Sequence, residues 1–119
     1  MAKKILLIDD EQDFVKMIQA RFEASGFEVI TASDGEIGLQ QWEQGNPDLI
    51  VLDITMPNMD GYTFLYESKQ NKNLKKIPIV ILTAREGMKD LFALEGAPDY
   101  FVKPVDTRKL LAKVDALLR

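Results

Sequence analysis

Four short apolar runs in this chain each end in a side chain able to do chemistry. Ile5 to Ile8 is followed by Asp9 and Asp10, Leu49 to Leu52 by Asp53, Ile77 to Leu82 by Thr83, and Tyr100 to Val102 by Lys103. Carboxylate, hydroxyl and amine are the reactive groups on offer. The 119 residues include no cysteine and no histidine, which excludes zinc, haem and iron–sulfur sites built on those ligands, cysteine nucleophiles and the Ser-His-Asp arrangement. Carboxylates brought together repel one another. The usual relief is a hard cation such as Mg²⁺, which takes oxygen ligands and keeps several waters.

Whether these residues meet depends on the elements that carry them. The runs Ile5–Ile8, Leu49–Leu52 and Ile77–Leu82 are nearly continuous in Ile, Val and Leu, as strands buried on both faces require. Glu28–Thr31 and Tyr100–Val102 are shorter and mixed, and read as edge strands. Between the runs, apolar residues recur at spacings of three and four, as in Phe14, Met17, Ile18 and Phe22, and again in Leu110, Val114, Leu117 and Leu118; these are amphipathic helices. Turn residues punctuate them at Ser25-Gly26, Asp34-Gly35, Asn46-Pro47, Asp60-Gly61 and Gly96-Ala97-Pro98. The order is βαβαβαβαβα, which predicts a parallel sheet with helices on both faces.

Placing the three apolar strands inside and the two mixed ones outside gives an α/β, doubly wound, five-stranded sheet of order 2-1-3-4-5, the flavodoxin-like arrangement, in one domain spanning 1–119. Its reversal of direction lies beside the first strand, so a ligand site is expected at the carboxyl ends of the first and third strands. That rim would collect Asp9, Asp10, Asp53, Thr83 and Lys103.

Each of these residues also has a plainer reading. Asp10, with Asp13 three positions on, could cap the first helix, and Asp9 could be a solvated strand end. Thr suits any strand, Lys103 could face solvent at the sheet edge, and Tyr100 could pack on a helix. Asp53 has the weakest alternative, because an unpaired charge closing a central strand is costly.

The ordered set Asp9-Asp10, Asp53, Met56-Pro57, Asp60-Gly61, Thr83-Ala84, Tyr100 and Lys103-Pro104 resembles the receiver domain of two-component response regulators, with the architecture of a stand-alone chemotaxis regulator. The resemblance covers essentially the whole chain. It implies a signalling domain, not an enzyme, in which Asp53 accepts a phosphoryl group from a histidine kinase. It further implies that Asp10, Asp53 and the Thr55 carbonyl hold Mg²⁺, with Asp9 reaching it through water. Lys103 and Thr83 would bind phosphoryl oxygens, Lys103-Pro104 would be cis, and Thr83 and Tyr100 would change conformation on phosphorylation. Ala84 would leave the approach open, while Thr55 and Arg85 would flank the attacking water; neither suits that water, so a slowly hydrolysed acyl phosphate is expected. The implied partners are a sensor histidine kinase or phosphotransfer protein and a downstream target or effector domain; a phosphorylation-dependent dimer is compatible with both. The spacing from Thr83 to Lys103 is shorter than the family's, and Gly87 and Gly96 bracket a segment, 88–95, long enough for about two helical turns.

Three other functions compete. A flavin mononucleotide site would need phosphate donors after the first strand, where Asp9-Asp10-Glu11-Gln12-Asp13 stands instead. A Mg²⁺-dependent phosphohydrolase would need an enclosed pocket for its leaving group, and an interaction module would never be phosphorylated. The net charge of −4, from 15 Lys and Arg against 19 Asp and Glu, argues against nucleic acid; the one basic cluster is Lys69, Lys72, Lys75 and Lys76, at a helix end. Two lysines and then only four apolar residues before the first acid are too short for a signal peptide or membrane span, so the expected location is cytoplasmic. The chain's last residues leave open whether it stands alone or belongs to a longer protein.

Overall fold

The computed structural model describes residues 2–54, 61–83 and 99–119. In chain order its elements are β1 (Lys4–Ile8), α1 (Gln12–Ala24), β2 (Glu28–Ala32), α2 (Gly35–Gly45), β3 (Leu49–Asp53), α3 (Gly61–Gln70), β4 (Ile79–Thr83), β5 (Asp99–Val102) and α4 (Thr107–Leu118). All four strand pairings are parallel and the order is β2-β1-β3-β4-β5. This is the expected doubly wound sheet. The short helix expected over 88–95 lies outside the described residues.

Burial explains the order. β3 is buried at every position and β1 and β4 at all but their first, whereas β2 keeps an exposed first residue and three half-buried ones. The apolar run from Ile77 yields a strand only from Ile79, because Pro78 has no N–H to give the ladder; its carbonyl still accepts the Ile50 N–H at 3.0 Å.

Successive strand residues face opposite sides, so each strand feeds two cores. Ile5, Leu7, Leu49, Val51, Val80 and Leu82 pack under α1 and α4, against Val15, Ile18, Phe22, Leu110 and Val114. Leu6, Ile8, Ile50, Leu52 and Ile81 pack on the other side under α2 and α3, against Trp42, Phe64 and Leu65. Two helix ends use turn residues visible in the sequence, Asp34 and Asn46, and a third uses Asp106. Asp34 caps α2 by accepting the Ile37 N–H at 2.9 Å, Asn46 closes it in the left-handed conformation, and Asp106 caps α4. At the far end of α4, Arg119 donates to the Ser25 carbonyl at 2.9 Å, pairs with Asp115 and lies over the Phe27 ring. Among the described residues, no helix is long and apolar enough to cross a membrane.

One close approach fixes the surroundings of β3. The Gly61 N–H donates to the Ile54 carbonyl at 2.8 Å, and a Cβ at Gly61 would lie 2.6 Å from Ile54 Cα. Backbone cannot move aside as a flexible side chain can. Gly61→Ala should therefore lower stability in urea unfolding by about 1–3 kcal/mol, the usual cost of overpacking; an unchanged midpoint would show that the contact yields without strain.

Candidate functional site

In a parallel doubly wound sheet the carboxyl ends of the strands share one rim. Asp9 directly follows β1, Asp53 is the last residue of β3, Thr83 is the last of β4, and Lys103 directly follows β5. Asp9, Asp53 and Thr83 are 1%, 5% and 1% exposed, respectively, whereas Asp10 is open to solvent. A carboxylate oxygen from each of Asp9, Asp10 and Asp53 lies within 4.8 Å of the other two. The structure thus brings together the carboxylates picked out in the sequence.

The plainer readings of Asp9 and Asp10 do not hold. Asp9 is no solvated strand end: its Oδ1 accepts the Glu11 N–H at 2.9 Å and its Oδ2 accepts from Lys103 Nζ at 2.9 Å. Asp10 is no cap, because the N-cap position of α1 falls on Glu11, whose side chain makes no capping bond. The acid that favours the start of α1 is Asp13, in the first turn.

Lys103 supplies the positive charge. Its backbone N–H donates to the Thr83 carbonyl at 2.7 Å, which anchors it to the end of β4, and the Lys103–Pro104 peptide is cis. Its ammonium points inward, 2.9 Å from Asp9 Oδ2, 2.7 Å from Glu11 Oε1 and 3.7 Å from Asp53 Oδ2, with the Phe14 ring centroid 4.9 Å away. Burial by itself would lower the pKa of this amine. The hydrogen bonds to Glu11 and Asp9 and the charges of Asp53 and Asp9 outweigh burial, and the pKa is raised.

Thr83 pairs in register with Val102, and Tyr100 with Ile81. Thr83 and Tyr100 therefore point to the same side of neighbouring strands, the side on which Tyr100 packs, half-buried, against the core under α2 and α3. Thr55, Ala84 and Arg85, with Met56, Pro57 and Asp60, lie outside the described residues.

Glu11 and Phe14 are contacts of Lys103 that the sequence did not single out for this role. Glu11 reads as one more acid in a repelling run, and Phe14 as a core position of an amphipathic helix, which it also is. The donor set suits a hard cation: three carboxylates, two of them buried and one open to solvent, with oxygen as the only ligand atom.

The model of the response regulator receiver domain family matches residues 5–115. The alkaline phosphatase synthesis transcriptional regulatory protein PhoP of Bacillus subtilis is 46% identical over 121 aligned positions, covering 100% of this chain and 50% of its own length. The response regulator PleD of Caulobacter vibrioides is 39% identical over 121 positions, covering 100% of this chain and 27% of its own length. The chain thus spans half or less of the length of these curated relatives. Among solved structures, the response regulator protein TrrA of Thermotoga maritima in complex with Mg(2+)-BeF is 33% identical with a TM-score of 0.84, over 97% of this chain and 98% of that one. The chemotaxis protein CheY4 of Vibrio cholerae is 28% identical with a TM-score of 0.88, over 98% and 99%.

The Lys103 pairing gives a pH dependence with a definite sign. A lysine whose pKa is raised on folding adds stability that is fully present below its unfolded value, and that is lost as pH rises through the higher folded value. The stability difference between the wild type and Lys103→Met should be constant through neutral pH and shrink above the ordinary lysine value of 10.5. Urea unfolding of both proteins across that range checks it; a difference independent of pH would show that packing, not charge, is what the lysine contributes.

Proposed function

Because the chain belongs to the response regulator receiver domain family of two-component signalling, we propose that residues 1–119 form one receiver domain whose Asp53 accepts a phosphoryl group from a sensor histidine kinase or a phosphotransfer protein. The observation that carries this reading is the position of Asp53. It closes a fully buried central strand with its carboxylate beside those of Asp9 and Asp10 and 3.7 Å from an ammonium.

In the proposed step an Asp53 carboxylate oxygen attacks the donor's phosphorus. The new P–O bond forms as the P–N bond to the donor imidazole breaks, the electron pair leaves on the imidazole nitrogen, and an acyl phosphate results. Asp10, Asp53 and the Thr55 backbone carbonyl would hold Mg²⁺, with Asp9 reaching it through water. When bound, the metal neutralises charge on the nucleophile and on the transferring group. Lys103 pairs with one phosphoryl oxygen and the Thr83 hydroxyl donates to another. Ala84 would leave the approach open, and Arg85 would slow hydrolysis as a charge-assisted donor to the phosphoryl oxygens.

The new charge draws Thr83 toward the phosphoryl group and makes room for Tyr100 to turn inward on the same side of the sheet. Their shared side, on adjacent strands, supports this coupling. The output goes to a downstream protein or an effector domain, and a phosphorylation-dependent dimer is one form it can take. PhoP is a transcriptional regulatory protein. For the present chain, which we place in the cytoplasm, the acidic balance supports signalling through protein contacts, with DNA contact left to a partner or effector.

With Mg²⁺ and acetyl phosphate, wild-type protein should gain one phosphoryl group per chain and Asp53→Asn none, read by intact mass. Equal labelling of the two would refute the assignment, and continued multiple turnover of assorted phosphomonoesters would favour a phosphohydrolase. In calorimetry, Asp10→Ala should weaken Mg²⁺ binding by about tenfold or more, and by more than Asp9→Ala, since a direct ligand is worth more than a water-bridged one. The reverse ranking would move Asp9 into direct coordination.

A further inference from the structure

We propose that Glu11 is a positioning residue that holds Lys103 in a resting geometry short of Asp53, so that breaking the Glu11–Lys103 contact is part of engaging the phosphoryl group. The inference rests on the reading of Asp53 as acceptor and Lys103 as its phosphoryl partner, and goes beyond it in giving the lysine two positions and naming what holds the first.

The distances carry the argument. Lys103 Nζ is within hydrogen-bond range of Asp9 Oδ2 at 2.9 Å and Glu11 Oε1 at 2.7 Å, but stands 3.7 Å from Asp53 Oδ2. The Phe14 ring, 4.9 Å away, is a further contact. Asp9, Glu11 and Phe14 all belong to the stretch from the end of β1 into α1. Asp53 closes β3, which lies between β1 and β4 in the sheet. The ammonium is thus drawn toward the β1–α1 stretch more closely than toward the residue it would serve.

The two acids that hold the lysine differ in how readily they let go. The Asp9 side chain is 0% exposed and would be left as a buried unpaired charge, whereas that of Glu11 is 61% exposed and can turn into water. An ammonium has three N–H donors. The contact that yields to a phosphoryl oxygen is therefore the one to Glu11, while that to Asp9 persists. An exposed ion pair is worth up to about fivefold in an equilibrium, enough to bias the lysine and little enough to be displaced.

The test uses beryllofluoride, a phosphoryl mimic, titrated at saturating Mg²⁺ and followed by amide chemical shifts. Relative to the wild type, Glu11→Gln should bind it about two- to fivefold more tightly. Glu11→Asp, which keeps the charge but shortens the reach, should move the same way. In a Lys103→Met background, Glu11→Gln should have no effect, because there is no lysine to hold. If Glu11→Gln binds no more tightly than the wild type, Glu11 does not restrain the lysine. If the gain survives in Lys103→Met, or Glu11→Asp behaves as wild type, the effect is simple repulsion between Glu11 and the anion, and the inference fails. A wild type that binds no beryllofluoride would overturn the underlying reading of Asp53 along with it.

Discussion

The carboxylate of Asp9 is buried, and a buried charge must be met. Removing an ion from water costs several kcal/mol unless it is paired and hydrogen-bonded. Asp9 is satisfied on both oxygens, by the Glu11 N–H and by an ammonium 94 positions away in the chain. That second partner reaches it only if β1 sits inside the sheet and β4 holds the backbone of Lys103 at the same rim. A buried ion pair of this kind is poor evidence of added stability, since apolar residues of similar volume commonly do as well. What it secures here is position: the acids and the amine are fixed in one cluster around Asp53.

Much of this could be read in the sequence. Strand order followed from which runs were wholly apolar, and Asp53 stood out because the run before it had no polar break. The turns at Asp34 and Asn46 stand where their residue types placed them, whereas the cap at Asp106 was not singled out. The strands' first residues were less legible: Lys4 joins β1 because its N–H is bound by Asp48 and its ammonium by the Gly45 carbonyl, contacts between segments distant in the chain. The same blindness left the Asp9–Asp10 doublet ambiguous, since both are acids next to a strand and only three-dimensional packing decides which turns inward. Glu11 shows it best: sequence makes it a like charge among acids, and the fold makes it a partner of Lys103.

Pleating separates two groups of candidate site residues along this one sheet. By alternation from Val51, Asp53 falls on the side of α1 and α4; Thr83 follows Ile81 on the side of α2 and α3, with Tyr100. The acids and the lysine thus gather where α1 begins, and the two residues proposed to respond lie on adjacent strands of the opposite side. No long relay is needed between them, because the ends of β3 and β4 are neighbouring strand ends.

The indole of Trp42 lies on the same side of the sheet as Thr83 and Tyr100. It is 5% exposed, stacks on Phe64 with ring centroids 5.9 Å apart, and donates its N–H to the Lys75 carbonyl at 3.1 Å, in the connection that leads into β4. It is also the only tryptophan in the sequence. The protein therefore carries a built-in optical reporter: its indole emission has one source, shielded from solvent quenchers and on the side of the sheet opposite the core under α1 and α4. A change in that emission reads a repacking of the α2–α3 side without a label, and the arrival of an ion at the rim registers only insofar as the sheet transmits it.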